Sequence, residues 1–211
     1  MARAAQVPAS PRSGDQALIE RLLNKDPTAF AALVDEHNDT MLRVAQAIVR
    51  SRSVAEEVVQ ETWVAILKGI AKFEGRSSLK TWMFRILTNR ARTRATRERR
   101  TLPASALGQE DDPVDLDRFD SAGMWKAPPD RWHGTPEKSA VDHETGAELE
   151  KAIAELPERQ RMVLVLRDVQ GWSSEEVRNV MDIGETNQRV LLHRARTKVR
   201  NALATYLEGK K

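Results

Sequence analysis

The residues best suited to chemistry in this chain are cations set in rows. Positions 188–200 hold five Arg or Lys residues, one His and no acid. A second row, ARTRATRERR, closes the stretch that ends at position 100. Such rows neutralise phosphates, and a guanidinium can also bond a guanine edge through two donors. The chemistry they point to is recognition of a polyanion. Catalysis finds less support. There is no Cys nucleophile, no glycine loop to cradle phosphate and no pairing of His with an acid. His37, His133, His143 and His193 show no ligand spacing. The acids Glu110, Asp111, Asp112, Asp115, Asp117 and Asp120 suggest a divalent-metal site, but on a segment without a scaffold to hold ligands in place. We therefore expect no enzyme, no cofactor and no metal.

Composition sets the bounds. The chain has 211 residues, 40% of them hydrophobic, and a net charge of +3. That supports one large domain or two small ones. The absence of Cys fits a reducing compartment. The first residues, MARAAQVPASPRSG, lack the apolar centre of a signal peptide, and no apolar run approaches a membrane span. The expectation is a cytoplasmic protein without membrane insertion.

The elements that must carry the cations are helical. Asp26 before Pro27 reads as an N-cap with proline at the first helical position. Phe30, Leu33, Val34 and His37, then Met41, Val44, Ala45 and Ile48, recur at helical spacing. Ser53 with Glu56 predicts a capping box opening a helix to Lys72, with Val59, Trp63, Ile66 and Ile70 inside. Phe73 to Ser77 breaks it. Ser78 then caps a helix carrying Leu79, Trp82, Met83, Ile86 and Leu87. Residues 101–135 are rich in proline, glycine and acids and read as a flexible acidic linker, with Phe119, Trp125 and Trp132 unusual for a spacer. Beyond it, Leu149, Ile153 and Leu156 make one stripe, and Met162, Val163, Leu166 and Val169 the next. Ser173 and Glu176 predict a second capping box, over a short helix packed by Val177, Val180 and Met181. A turn at Asp182 leads into the basic helix anchored by Val190, Leu191, Ala195, Val199 and Leu203. A short helix, a turn and a longer basic helix is the order of a helix-turn-helix. The expected fold is all-α: a disordered tail at 1–14, a helical domain at 15–100, the linker at 101–135 and a helix-turn-helix domain at 136–211.

Three stretches, in order, resemble an extracytoplasmic-function (ECF) sigma factor of bacterial RNA polymerase. SVAEEVVQETWVAILKGIAKF is similar to the region-2 helix that binds core polymerase. FEGRSSLKTWMFRILTNRARTRATRERR is similar to the segment that melts and reads the −10 element. LPERQRMVLVLRDVQGWSSEEVRNV with ETNQRVLLHRARTKVR is similar to region 4, which reads the −35 element; Asp182 stands where that region frequently has Gly, so the resemblance implies positive φ there, which Asp tolerates better than most residues. The resemblance implies an alternative sigma factor directing promoter-specific initiation. Its implied partners are promoter DNA and core RNA polymerase, with region 2 on the clamp helices of the largest subunit and region 4 on the flap of the second-largest. It leaves open an anti-sigma factor, and it lets the linker thread towards the polymerase cleft or act as a plain tether.

Under that resemblance Glu57, Gln60, Glu61, Trp63 and Leu67 are the candidate polymerase contacts. Arg76, Ser77, Ser78, Lys80, Trp82, Arg85, Asn89 and Arg92 are candidates for the melted −10 strand, which needs a cationic path and polar and aromatic walls. Trp82 also fits the core stripe. Thr186, Asn187, Gln188, Arg189 and His193 are candidates for −35 base edges, with Arg194 and Arg196 on phosphates. The competing expectation is a dimeric regulator that binds duplex DNA without polymerase.

Overall fold

The computed structural model describes residues 13–101 and 139–208. The expected tail, up to residue 12, and the linker with Phe119, Trp125 and Trp132 lie outside the described residues. Among the described residues every regular element is helical. They run α1 (Ser13–Leu23), α2 (Pro27–Val49), α3 (Arg52–Gly69) with a 3-10 turn (Ile70–Lys72), α4 (Leu79–Thr101), α5 (Ser139–Glu155), α6 (Glu158–Leu164), a π-helical turn (Val165–Val169), α7 (Ser174–Met181) and α8 (Glu185–Glu208). Two compact units result. One joins α1–α4 to the segment Val165–Asp182, and the other contains α5, α6 and α8.

Local chemistry explains the boundaries of the first unit. Lys25 takes φ 57° and turns the chain out of α1. The Asp26 carboxylate then accepts the Thr28 and Ala29 amides at 2.9 and 3.3 Å and starts α2. The Thr28 hydroxyl and the Arg21 guanidinium also bond it, and together they hold its carboxyl down at about 2. Arg50, at φ 64°, closes α2 with its amide on the Gln46 carbonyl. That early turn corrects one expectation. Helix α3 starts at Arg52 behind Ser51, so Ser53 is already inside the first turn and no side chain caps the end. Glu56 bonds Arg52 at 3.0 Å instead of reaching back to an amide. The start of α4 is held from both sides: the Thr81 amide donates to Ser78 Oγ, and the Leu79 amide donates to Asp15 of α1 at 3.1 Å.

The core of this unit lies between α2, α3 and α4. Leu33, Met41 and Val44 meet Val59, Trp63 and Ile66, and α4 contributes Met83, Phe84 and Leu87. Fully burying a Leu, Met or Phe is worth about 1.5–3 kcal/mol each. Phe84, absent from the expected stripe, is fully buried, whereas Ile86 is only half-buried. The buried Thr62 hydroxyl is satisfied by the Val58 carbonyl one turn back, at 2.7 Å.

In the segment Val165–Asp182, the Gln170 amide reaches the Val165 carbonyl, an i to i+5 bond at 2.9 Å. This π turn shifts the helical phase. Leu164, Val165 and Leu166 are consequently buried, and Val169, expected inside, is 53% exposed. Gly171 at φ 67° ends the turn, and Ser173 and Glu176 form the expected capping box. Asp182 closes α7 at φ 54° and ψ 55°, the left-handed conformation expected of it.

The second unit packs Ala152 and Leu156 of α5 and Leu164 of α6 against Ala195 and Val199 of α8, with Ile153, Leu192 and Leu203 around them. This cluster covers the last turns of α5 and stops short of Leu149, which is exposed rather than part of a buried stripe. Arg161 is buried, and its guanidinium donates to the Ala154 and Leu156 carbonyls at 2.8 and 3.1 Å. Those are carbonyls that the end of α5 leaves without a helical donor.

Candidate nucleic-acid interface

Helix α3 buries Ala55, Val58, Val59, Thr62, Trp63 and Ile66 and turns its other side outward. Glu57, Gln60, Glu61 and Leu67 are exposed, and so is Val64. Trp63 is not on that outer side. Its ring meets Phe30 edge-on at 5.8 Å, and its Nε1 donates to Asn38 at 3.2 Å. It therefore holds α3 in place and does not present a docking surface, because positions 59, 63, 66 and 70 share the inward face.

The acids of α3 are already engaged. Glu61 pairs with Arg90 at 3.2 Å and Glu57 with Arg94 at 2.7 Å, so the outer side of α3 is tied to the cationic side of α4. Bonds to Glu98 and then the charge of Glu57 raise the Arg94 pKa further.

The −10 candidates gather around the start of α4. Arg76 is exposed and paired with Glu74. Ser77 and Ser78 are half-buried, and Asn89 is exposed. Trp82 is half-buried, tilted against Phe73 at 5.2 Å and close to Gly69, where a Cβ would lie 3.2 Å from the indole. Phe73 and Trp82 thus form an aromatic wall beside the 73–78 loop. Lys80 sits 4.0 Å over the Trp172 ring and 3.1 Å from Glu176. Burial alone would raise the Glu176 carboxyl, but the Ser173 amide and the Lys80 ammonium outweigh it and hold the pKa below its ordinary value. Arg85 Nη2 lies 3.6 Å from Asp182. Arg92 is half-buried on the same helix.

On α8 the first turn is open. Thr186, Asn187 and Arg189 are exposed, Arg189 within reach of Glu185 one turn earlier. His193, Arg194 and Arg196 are half-buried, with His193 Nδ1 3.3 Å from the Thr197 hydroxyl. Gln188 departs from expectation. It is 2% exposed, on the stripe that continues through Leu191 and Ala195, so it is not free to meet a base edge.

Sigma-70 region 2 matches residues 33–101, and Sigma-70 region 4 matches residues 146–199. Each match spans one of the two cationic helices. The ECF RNA polymerase sigma-E factors of Escherichia coli and Salmonella typhimurium are 30% identical to the chain over 187 residues, covering 89% of it and 93% of each relative. The chain belongs to the ECF sigma factors. The RNA polymerase sigma-H factor of Pseudomonas aeruginosa is 29% identical over 193 residues, 92% of this chain and 95% of that one. Solved structures share the fold at lower identity. CnrH, in complex with the cytosolic domain of CnrY, superposes with a TM-score of 0.59 at 21% identity over 94% of this chain and all of its own. The Bartonella quintana sigma factor RpoE, in complex with the anti-sigma factor NepR, gives 0.57 at 19% over 83% of this chain and 96% of its own.

The protein is thus an alternative sigma factor that directs promoter-specific initiation with RNA polymerase. Among its described residues no helix is long and apolar enough to cross a membrane. No group of three or more His, Cys, Asp or Glu side chains is gathered there to hold a metal ion. Sequence reasoning missed two features of the sigma factor's surface. Val64 follows the buried Trp63 directly, and its exposure was legible once Trp63 was placed inside. The cross-helix pairs Glu57–Arg94 and Glu61–Arg90 had no sequence signal, since their partners are 37 and 29 positions apart.

Proposed function

We propose that the sigma factor divides its work between the two cationic helices and the outer side of α3. Glu57, Gln60, Glu61, Val64 and Leu67 dock on the clamp helices of the largest polymerase subunit, an apolar pair ringed by acceptors. The 73–78 loop, with Arg76, Ser77, Ser78 and the Phe73–Trp82 wall, takes an unstacked −10 base. Lys80, Arg85, Asn89 and Arg92 line the path of its strand. Region 4 docks on the flap of the second-largest subunit and reads the −35 element through Thr186, Asn187, Arg189 and His193, with Arg194 and Arg196 on phosphates. Gln188 has no part in this reading.

The observation that carries the proposal is the order of the two family matches, each spanning one cationic helix. The protein performs no bond chemistry of its own and works in the cytoplasm, beside its polymerase. The solved relative bound to the anti-sigma factor NepR supports an anti-sigma factor as a further partner.

Co-purification with core RNA polymerase, followed by run-off transcription on a genomic fragment library, tests the reading. Selective initiation with core, and weak DNA binding by the chain alone, are expected. Tight sequence-specific duplex binding by the chain alone, with no initiation in the presence of core, would replace this reading with a polymerase-independent regulator.

A further inference from the structure

The Sigma-70 region 2 match begins at residue 33, so α1 lies outside it. Yet α1 reaches both ends of the 73–78 loop. Before the loop it packs on the 3-10 turn Ile70–Lys72, whose Ile70 carbonyl accepts the Phe73 amide at 3.1 Å. After the loop, the Asp15 carboxylate accepts the Leu79 amide at 3.1 Å, across 64 positions of sequence. The first amides of a helix have no partner within it. At the start of α4, Ser78 Oγ takes the amide of Thr81 and Asp15 takes that of the buried Leu79. Between its two ends the loop bends at Gly75, at φ 68°, a conformation glycine adopts without strain. The shape of so short a loop follows from where its ends are fixed.

We propose that Asp15 is a positioning residue for the 73–78 loop: its carboxylate fixes the junction of the loop with α4, and thereby sets how sharply the loop discriminates among −10 bases. The discrimination rests on the reading of this loop as the −10 pocket; the placement of the loop does not. A shift at Leu79 is passed directly to the candidate contacts. The Ser78 hydroxyl donates to Thr81 Oγ1 at 2.9 Å while accepting the Thr81 amide, and Ser77 Oγ donates to the Ser78 carbonyl. The same carbonyl accepts the Trp82 amide at 3.1 Å, so the indole would move against Phe73 as well. Base recognition is sensitive to such movement, because hydrogen bonds weaken steeply with misalignment. Asp15 also lies in the first turn of its own helix, where a negative charge is favourable. That role needs the charge, whereas accepting the Leu79 amide needs only an oxygen. Asp15→Asn separates the two.

The test uses the full-length chain, alone and with core polymerase. In the free chain, Asp15→Ala should speed amide exchange over residues 73–82 by about three- to tenfold, the loss of a hydrogen bond, and leave exchange in α8 unchanged. With core, a promoter recovered from the run-off library is compared with its single-base variants. The preference for the original −10 bases should shrink by a similar factor in Asp15→Ala, and the preference at −35 positions should not move. Asp15→Asn should restore both exchange and −10 preference. A merely structural Asp15 would instead lower output from all these promoters alike. Unchanged exchange in Asp15→Ala overturns the positioning role. So does an Asn variant as defective as the Ala variant, which would assign Asp15 to the charge of α1. Arg76→Ala and Ser77→Ala test the −10 reading separately. If they leave the −10 preference unmoved, the pocket assignment fails, while faster exchange in Asp15→Ala still upholds the placement of the loop. If they alter it and Asp15→Ala does not, control of discrimination by Asp15 is overturned.

Discussion

The two cationic helices look alike in sequence and differ in how their charge is kept. On α4, Lys80, Arg85, Arg90 and Arg94 each face an acid brought in from another part of the chain, Glu176, Asp182, Glu61 and Glu57. On α8, Arg189 pairs with Glu185 in its own first turn, a contact that moves with the helix. The pairs of α4 tie its cations to the outer side of α3 and to Val165–Asp182. What binds there can therefore change which cations of α4 are available. The first turn of α8 keeps Thr186 and Asn187 exposed beside Arg189. A row of arginines thus has its charge set by composition and its availability set by the elements packed beside it.

The largest effect should come from removing the anchor beneath α4. Phe84→Ala deletes a fully buried ring that touches both Trp172 and His37, and should cost about 3–5 kcal/mol in chemical unfolding. Binding of a −35 duplex through α8 should suffer less than −10 binding. Equal loss of both would erase the distinction between the two helices.

Next in size is the reading of bases by α8. Arg189→Ala should cost roughly 1–3 kcal/mol, concentrated at one −35 position. Arg196→Ala should weaken promoters alike and reduce the salt slope by about 1. Identical sequence profiles for the two variants, measured on a mutated −35 library, would break the division into base and phosphate contacts.

A smaller change sharpens the comparison by making α4 resemble α8. Glu57→Gln with Glu61→Gln removes the acids facing Arg94 and Arg90. Affinity for core polymerase in a competition assay should fall, while non-specific DNA binding by the free chain rises and becomes more salt-dependent. The thermal midpoint should hardly move, since such surface pairs contribute little to stability. Unaltered core affinity would remove both acids from the docking surface.

The smallest effect concerns protons. Burial first, then the charge of Lys80, lowers the pKa of His37 against the opposing pull of Glu36. The unfolded ring, titrating near about 6.5, therefore takes up a proton before the folded one does. Stability contributed by this ring is present above that pH and is lost as pH falls through the folded value. Urea midpoints at successive pH values between neutrality and acid should show the decline, and His37→Gln should flatten it. A decline of the same slope in the variant would assign it to other groups.

Much of the molecule was determined by sequence alone, because the signals were local. The Asp26 cap, the Ser78 cap and the Ser173–Glu176 box depend on residues a few positions apart. The inward lines of α2, α3 and α8 follow the 3.6-residue period, and the three ordered motifs identified the family. The readings that failed depended on partners or on helical phase. Ser53 missed its cap because Arg50 turned the chain early. Val169 came out exposed because a π turn altered the phase, and Gln188 went inside because its place on the stripe outweighed its polarity. Tertiary structure alone decided that Glu57 and Glu61 face arginines of α4 and that Trp172 lies on Phe84. Local sequence specifies hydrogen bonds that close within one turn. Which acid meets which cation across tens of residues is settled when helices pack, because burial and distance are properties of the assembled core.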